Sequence, residues 1–319
     1  MAAKWKRRDA LKLAVKGGLP FGVLAGAGLS AGYTFLPPKP SQRIESVDRL
    51  AVRLFESLND QQRADACVEY DHPLRQYHNR GVAGGGRTVS GWDFDRMQRS
   101  LLTDLVYAGL SEAGRRRLPR QFFIDWSGVQ SMRLLICGDP RQDRYQIVLT
   151  GPHLNLRLGG SASEGVAFGG PMVYGDQRGN ERQGLPGNVY RYQLVAAQLF
   201  RQLEPHQQRE SMQTRAPIQT QIELQGDAGH FAGIEVAQLS RTNRAQTAKL
   251  VEGILSTYAQ DTAAYAHRCL QNNGGIERLR LSYYADGKMG NDSVSQIFRL
   301  EGPAAVIYFR GAPHLHAFI

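Results

Sequence analysis

Three histidines beside predicted strands have the type and the spacing of a metal site. His314 and His316 alternate on a predicted C-terminal strand, so both side chains point to one face, about 6–7 Å apart along the chain. His153 opens a similar strand after a similar proline turn. Three neutral imidazoles without a cysteine suit zinc, copper or iron, and they leave a coordination position for water or substrate. The pattern predicts a transition-metal site and a metal-dependent enzyme, hydrolytic with zinc or oxidative with copper or iron.

Three further residues are candidates to support this site or to bind a ligand directly. His72 precedes Pro73, which fixes its loop, and its imidazole suits a fourth metal ligand or a proton shuttle. Tyr145 and Arg157 lie on predicted strands, and Arg157 is close to a glycine-rich stretch that would suit a carbohydrate or a small acidic ligand. These residues indicate an alternative function, that of a non-catalytic extracytoplasmic ligand-binding protein. A third interpretation makes the histidines hydrogen-bonded turn residues without a ligand.

The sequence lacks the motifs of several enzyme classes. Residues 81–88 contain three consecutive glycines but no Gly-Lys-Ser/Thr, which excludes a phosphate-binding P-loop. Residues 159–165 lack the Gly-x-Ser-x-Gly order of a nucleophile elbow. Cys67, Cys137 and Cys269 are far apart, so no zinc-finger or redox pair is present. We expect three buried, apolar cysteines, with one disulfide and one free thiol as the alternative.

The predicted helices and strands that position these residues come in alternating blocks along the chain. Apolar residues recur at helical spacing after residue 46 and again in residues 94–105, 192–203 and 250–265. Short β-prone runs occupy residues 121–125, 132–137, 145–150 and 153–158, and later 279–285, 295–300, 304–309 and 314–319. The order of helices, strands, helices and strands predicts an α+β fold in which helix blocks pack on antiparallel sheet.

Two short echoes indicate that this fold consists of two similar helix-then-strand halves. Leu-Phe at residues 54–55 recurs at 199–200, and Pro-His-Leu at 152–154 recurs at 313–315. We therefore expect the histidines of the two Pro-His-Leu runs to lie on neighbouring strands of one antiparallel sheet.

The N-terminal segment resembles a twin-arginine export signal. Arg7 and Arg8 lie in a basic segment that a weakly apolar, glycine-rich run follows, which is the layout of a signal peptide. Lys6 and Ala10 depart from the motif, which usually has Ser or Thr and Phe there. The twin-arginine export machinery is an expected partner, and the protein is expected in the periplasm or anchored to the outer face of the inner membrane. The expected organisation is a signal peptide or anchor at residues 1–36, a linker at 37–43 and a single α+β domain at 44–319.

The positive charge of the chain does not indicate nucleic-acid binding. The formal net charge is +10, and half of this excess lies in residues 1–16. Elsewhere arginines alternate with acidic residues and glutamines, apart from the run at residues 115–117, whereas a nucleic-acid footprint needs a clustered basic face. A small molecule is therefore the expected ligand.

Three motifs, in this order, resemble the family catalogued as domain of unknown function 3500. They are the His-Pro-x-Arg segment at residues 72–75, the strand that ends in Gly-Pro-His-Leu at 151–154, and the Gly-Pro at 302–303 followed by His-x-His at 314–316. The resemblance runs from about Ser46 to the C-terminus. Pro152 stands where the family usually has the first of two histidines, so a site that uses this histidine is altered in this chain. The resemblance implies a shared fold and export, but no reaction.

Overall fold

The structure is a computed structural model. It describes residues 45–76, 89–90, 93–124, 128–142, 144–151, 154–159, 174–176, 190–218, 224–286, 297–310 and 315–318. The helices are α1 (Val47–Ser57), α2 (Asp60–Ala66), α3 (Pro73–Gln76), α4 (Arg96–Ala108), α5 (Glu112–Ile124), α6 (Tyr190–Gln202), α7 (Pro205–Ser211), α8 (Arg241–Leu255) and α9 (Gln260–Asn272). The strands are β1 (Cys67–Val68), β2 (Val89–Ser90), β3 (Arg133–Gly138), β4 (Tyr145–Thr150), β5 (Asn155–Leu158), β6 (Tyr174–Asp176), β7 (Met212–Gln213), β8 (Ile234–Glu235), β9 (Arg280–Tyr284), β10 (Ile297–Gly302), β11 (Ala305–Arg310) and β12 (Leu315–Phe318). The α+β prediction is confirmed.

The strands form two separate sheets. The five-stranded sheet has the order β1-β3-β4-β5, with β2 also paired to β3. The seven-stranded sheet has the order β6-β12-β11-β10-β9-β7, with β8 also paired to β9. Both sheets are antiparallel meanders except at β1 and β7, which run parallel to β3 and β9.

One hydrophobic core joins the inner faces of both sheets to the helices. In the strands β3, β4, β5, β9, β10 and β11, every second residue faces this core, as period-2 alternation requires. The helices contribute apolar stripes at three- and four-residue spacing. Fully buried members from the two halves include Leu54, Leu105, Ile147, Leu199, Ile254 and Phe309. The core therefore stabilises both halves together.

The second half of the chain repeats the topology and the register of the first. In each half two helices lead into a short strand that pairs parallel with a central strand, β3 or β9, and a second short strand pairs antiparallel with that same strand. Cys67 faces Ile136 and Met212 faces Tyr283 in the parallel pairs, while the antiparallel pairs begin two residues earlier on the central strands, at Leu134 and Leu281. Two more helices precede each meander. The predicted pair of similar halves is present.

Equivalent glutamines hold equivalent turns in the two halves. The Nε2 group of Gln62 donates to the carbonyl of Asp93 at 3.1 Å, just before α4. The Nε2 group of Gln207 donates to the carbonyl of Gln238 at 3.1 Å, just before α8. Each glutamine also accepts from the N-cap residue of its own helix. The two halves are therefore similar in individual hydrogen bonds as well as in topology.

The two halves meet at a bridge with local two-fold symmetry. Leu110 and Tyr258, which follow the equivalent helices α4 and α8, form an isolated antiparallel bridge. The residue after each one donates its N–H to the carbonyl of the residue before the other, at 3.1 Å in both cases. Such reciprocal pairing is what a two-fold axis between the halves produces.

Two predictions about the elements are wrong. Residues 121–125 do not begin a strand, because α5 continues to residue 124 while Leu118 and Phe122, one turn apart, are buried in the core. The Pro-His-Leu echo does not mark equivalent positions, since Leu154 precedes β5 whereas Leu315 begins β12, and the equivalent of β5 is β11. The Leu-Phe echo does fall in the equivalent helices α1 and α6.

Within the described residues, no helix has both the length and the apolar character needed to cross a bilayer. The predicted signal or anchor at residues 1–36 and the predicted linker at 37–43 lie outside the described residues.

Candidate functional site

The face of the five-stranded sheet that points away from the core carries buried polar side chains on β3, β4 and β5. We call it the outer face. On it, the strand register pairs Cys137 with Gln146 and Val148 with Arg157. Cys137 is 0% exposed, Gln146 5% and Arg157 8%. The guanidinium of Arg157 donates from Nη1 to Oε1 of Gln146 at 3.2 Å. A buried cation therefore lies on a sheet face that carries no part of the main core.

The turn into α3 holds a second buried guanidinium, that of Arg75. The backbone N–H of Leu74 donates to Nδ1 of His72 at 3.2 Å, and the N–H of Arg75 donates to the His72 carbonyl at 2.9 Å. This turn leaves Arg75 only 8% exposed. The charge of Arg75 lowers the pKa values of both Arg157 and Cys137, so the three side chains are coupled electrostatically.

The surroundings of Arg157 disfavour its positive charge. Burial is the main reason that the pKa of Arg157 falls to about 10, and the neighbouring charge of Arg75 acts in the same direction. A well-matched carboxylate would instead have raised the pKa. At neutral pH the guanidinium is still protonated, at a cost of roughly 3 kcal/mol to the folded state.

The Cys137 thiol is neutral at physiological pH. Burial raises the pKa of Cys137 to about 11, although Arg157 and Arg75 both act to lower it. A thiolate is the nucleophilic form of cysteine, so Cys137 lacks the property of a catalytic nucleophile.

Arg75 is held in place by Tyr70, Asp71 and Arg144. The guanidinium carbons of Arg75 and Arg144 lie 4.1 Å and 4.4 Å from the centroid of the Tyr70 ring. Asp71 accepts from Nη2 of Arg144 at 3.1 Å and lies 3.8 Å from Nη2 of Arg75. The Asp71 side chain is 68% exposed, so water and salt screen its charge.

Arg75 has a buried hydrogen-bond donor that no described residue accepts from. Its Nε is buried and finds no hydrogen-bond partner within the described part of the chain. The 3.8 Å separation from Asp71 is too long for a hydrogen bond. An anion placed between Arg75 and Arg157 would accept from this donor and would favour both charges.

Of the three residues predicted to bind a ligand, the structure places two beside this site. His72 forms the turn that positions Arg75, and Arg157 is one of the two buried cations. Tyr145 belongs to the core side of β4, where its hydroxyl donates to Asp48. The structure therefore does not bring Tyr145 together with Arg157.

The hydrogen bond at His72 fixes the tautomer of its neutral ring. Because Nδ1 accepts from a backbone N–H, the proton of the neutral imidazole sits on Nε2. In this state Nε2 can donate to an anion, whereas a metal would need its lone pair.

The predicted metal ligands fall largely outside the described residues. His153 and His314 lie outside them, and so does the side chain of His316. The backbone of His316 lies in β12, opposite Arg310 and Gly175. The strand after His153 is β5 of the five-stranded sheet, but β12 belongs to the seven-stranded sheet. The expectation that these strands are neighbours is wrong, because it rested on the Pro-His-Leu echo.

Among the residues that the structure describes, no group of three or more His, Cys, Asp and Glu side chains could hold a metal ion. The three-histidine site stays a prediction.

The cysteines of β1 and β3 cannot form the alternative disulfide. Cys67 faces Ile136 in the register and packs on the core, whereas Cys137 is the next residue along β3 and faces the other side of the sheet. Side chains on opposite faces of a sheet point apart, which a disulfide does not tolerate. All three cysteines are free thiols.

The sequence reasoning missed Arg75, Gln146 and Cys137 as site residues. Gln146 and Cys137 could have been found by period-2 alternation with the core positions of β3 and β4. Arg75 had a weaker signal, an arginine two residues after a proline, and only the structure shows that its side chain is buried.

A comparison with family models places most of the chain in one family. The model described as "Protein of unknown function (DUF3500)" matches residues 40–318. No curated protein matches the chain, and no solved structure does.

Proposed function

Since the chain belongs to the family of proteins of unknown function DUF3500, whose description assigns no reaction, we propose a function from the geometry. The protein is an exported binding protein that holds a small anionic ligand on the outer face, between Arg75 and Arg157. The observation that carries this proposal is the pair of buried guanidinium groups, together with the lowered pKa of Arg157.

An oxyanion matches the chemistry of the two arginines. A carboxylate, sulfate or phosphate group presents several acceptor oxygens, and guanidinium groups bind such oxygens in parallel pairs. Nε of Arg75 and the Nε2 proton of His72 are donors for these oxygens. Cys137 is protonated, and a neutral thiol is a poor nucleophile, which favours a binding function over covalent catalysis.

Thermal unfolding in a panel of anions tests this proposal. At constant ionic strength with chloride as the reference, we expect sulfate, phosphate or a small carboxylate to raise the Tm by roughly 5 °C at about one hundred times its dissociation constant. The variants R75Q and R157Q should each lose most of this shift.

The matched control is R116Q, which removes an arginine whose side chain is 67% exposed on α5. It should keep the anion-dependent shift of the unchanged protein. An equal shift in R75Q, R157Q and R116Q would overturn the proposal, because it would show a general salt effect.

We propose that residues 1–36 direct export through the twin-arginine machinery to the periplasm or to the outer face of the inner membrane. The support is the Arg7-Arg8 pair and the apolar run that follows it. Replacement of Arg7-Arg8 by two lysines should leave the protein in the cytoplasm, which cell fractionation measures. Normal export of this variant would refute the signal.

The metal-dependent enzyme remains the second proposal, supported by the His-x-His spacing across the start of β12. Elemental analysis of protein purified from its native compartment should find about one zinc, copper or iron per chain, lost in the variant H316A. Protein without stoichiometric metal would end this proposal and leave the anion site unaffected.

A further inference from the structure

Two apolar side chains lie beside Arg157 on the outer face. The strand register places Leu135 of β3, Val148 of β4 and Arg157 of β5 side by side. The residues before and after each of them on its strand belong to the core, so these three side chains point away from it. Leu135 is 5% exposed although it is not among the core residues, and Val148 is half-buried. We call Leu135 and Val148 the apolar pair.

The apolar pair borders the position of the proposed anion. The guanidinium of Arg157 donates to Gln146, which lies two residues before Val148 on β4, so it reaches toward the level of Gln146 and Cys137. Two residues of an antiparallel strand span about 6–7 Å. A group attached to the bound anion can therefore lie directly on the apolar pair.

The next level of the outer face is polar again. Arg133 of β3, Thr150 of β4 and Asn155 of β5 lie side by side, two residues beyond the apolar pair. Oδ1 of Asn155 is buried and accepts from no described residue. An alkyl group that reached this level would keep water from these polar groups, which is unfavourable. The apolar part of the outer face is thus only two residues long.

Burial decreases along the outer face from the arginine site to this polar level. Cys137 and Gln146 are buried, whereas Arg133, Thr150 and Asn155 are each half-buried. The described side chains of the face are therefore most accessible at the polar level. A ligand that enters from this side brings its charged group to Arg157 and leaves its body on the apolar pair.

We propose that the ligand is a short aliphatic monocarboxylate, with its carboxylate at Arg75 and Arg157 and its alkyl chain on the apolar pair. This inference rests on the anion site proposed above and names the class of its ligand. Sulfate or phosphate would leave the apolar pair without a contact, whereas an alkyl chain would bury apolar surface against it. The 6–7 Å span matches about five extended C–C bonds of about 1.5 Å, so chains of about four to six carbons fit best.

Calorimetric titration of the full chain with acetate, butanoate, hexanoate and octanoate tests the inference. The affinity should rise by about two- to fourfold for each added methylene group up to hexanoate, because each one buries apolar surface. Octanoate should bind no more tightly than hexanoate, since its end reaches the polar level. The variant R157Q should lose the binding of the whole series.

The variant V148T probes the apolar pair, because it keeps the β-branched shape and adds a hydroxyl group. It should remove most of the gain in affinity from acetate to hexanoate, since an alkyl chain would cover this hydroxyl. The matched control is V306T, the same change at a half-buried valine of β11 in the other sheet. It should bind the series as the unchanged protein does.

Equal affinities for acetate and hexanoate, both lost in R157Q, would overturn this inference and leave the anion site intact. An unchanged gain in V148T would also overturn it, as would a continued rise in affinity to octanoate. Binding of no anion, or binding that R157Q does not weaken, would overturn the anion site and this inference together.

Discussion

In the proposed anion site, stability and ligand binding oppose each other at Arg157. Its guanidinium contacts Gln146 and lies near Arg75, and burial of its charge costs the ligand-free protein roughly 3 kcal/mol. Such a cost is common where a site must be ready for a charged ligand.

The substitution R157M removes this charge and fills much of the same volume with an adaptable apolar side chain. We expect the ligand-free variant to unfold at the same Tm as the unchanged protein or a few degrees higher, because the loss of the polar interactions of Arg157, which include the bond to Gln146, is offset by relief of the buried charge. Anions should no longer stabilise it. Differential scanning calorimetry with and without sulfate measures both effects.

Its control is R299M in the second half, where the arginine is neutralised by a buried glutamate. This substitution leaves Glu301 without its partner and should lower the stability by about 3–5 kcal/mol. Equal destabilisation by R157M and R299M would mean that a carboxylate compensates the charge of Arg157 as Glu301 compensates that of Arg299, and it would contradict the proposed anion site.

In the proposed anion site, Asp71 would compete with the ligand for Arg75. It lies 3.8 Å from the guanidinium and is well exposed, so it can be displaced. Replacement by asparagine should strengthen anion binding by about three- to tenfold at low salt, and less at high salt, where the charge is screened. The control E112Q makes the same charge change at an exposed position of α5 and should leave the affinity unchanged. Weaker binding in D71N would assign Asp71 a purely structural role.

At the scale of elements, α5 packs closely on the junction of the halves because it has a glycine there. A Cβ at Gly114 would lie 2.2 Å from the carbonyl oxygen of Thr257, a backbone atom of the two-fold bridge region. Glycine is otherwise an unfavourable residue inside a helix.

The variant G114A should therefore destabilise the protein by about 1–3 kcal/mol, although alanine is the better helix former. Urea unfolding followed by circular dichroism measures this change. R116A, on the exposed side of the same helix, should change the stability by less than about 0.5 kcal/mol. A stabilised G114A would show that the two halves can separate slightly at this contact.

Local pattern was sufficient for most elements but not for their pairing. The runs at residues 145–150 and 304–309 alternate in the way that strands do, and both became strands. The β-prone run at 121–125 became the end of α5, because the core contacts of Phe122 extend the helix. No local signal distinguishes β11 from β12 as the equivalent of β5, since strand register depends on contacts between distant residues.

The candidate site was less predictable than the fold, for the same reason. Arg157 was identified from its residue type and its neighbouring loop. The influence of the Arg75 charge on its pKa depends on tertiary structure, which no local pattern shows. Tyr145 was predicted as a ligand-binding residue, but its side chain lies on the core face of β4. Side chains alternate between the two faces of a strand, so the neighbouring position would have lain on the outer face.

At the scale of the whole molecule, the two halves should unfold as one unit. A single core contains residues from both, and the two-fold bridge adds backbone hydrogen bonds between them. We expect coincident urea transitions when helix content, by circular dichroism, and amide protection of strands in each half, by hydrogen exchange, are followed together. Two separated transitions, one for each half, would show that the repeat units are independent folding domains.

The most direct test of the anion site is anomalous diffraction from crystals grown with selenate, an oxyanion that can be located by its own scattering. We predict one ordered selenate on the outer face, with oxygens within about 3 Å of guanidinium nitrogens of both Arg75 and Arg157. No such peak should appear in crystals of R157M. The proposed site would be contradicted if selenate bound only at exposed arginines and no selenate peak lay between Arg75 and Arg157.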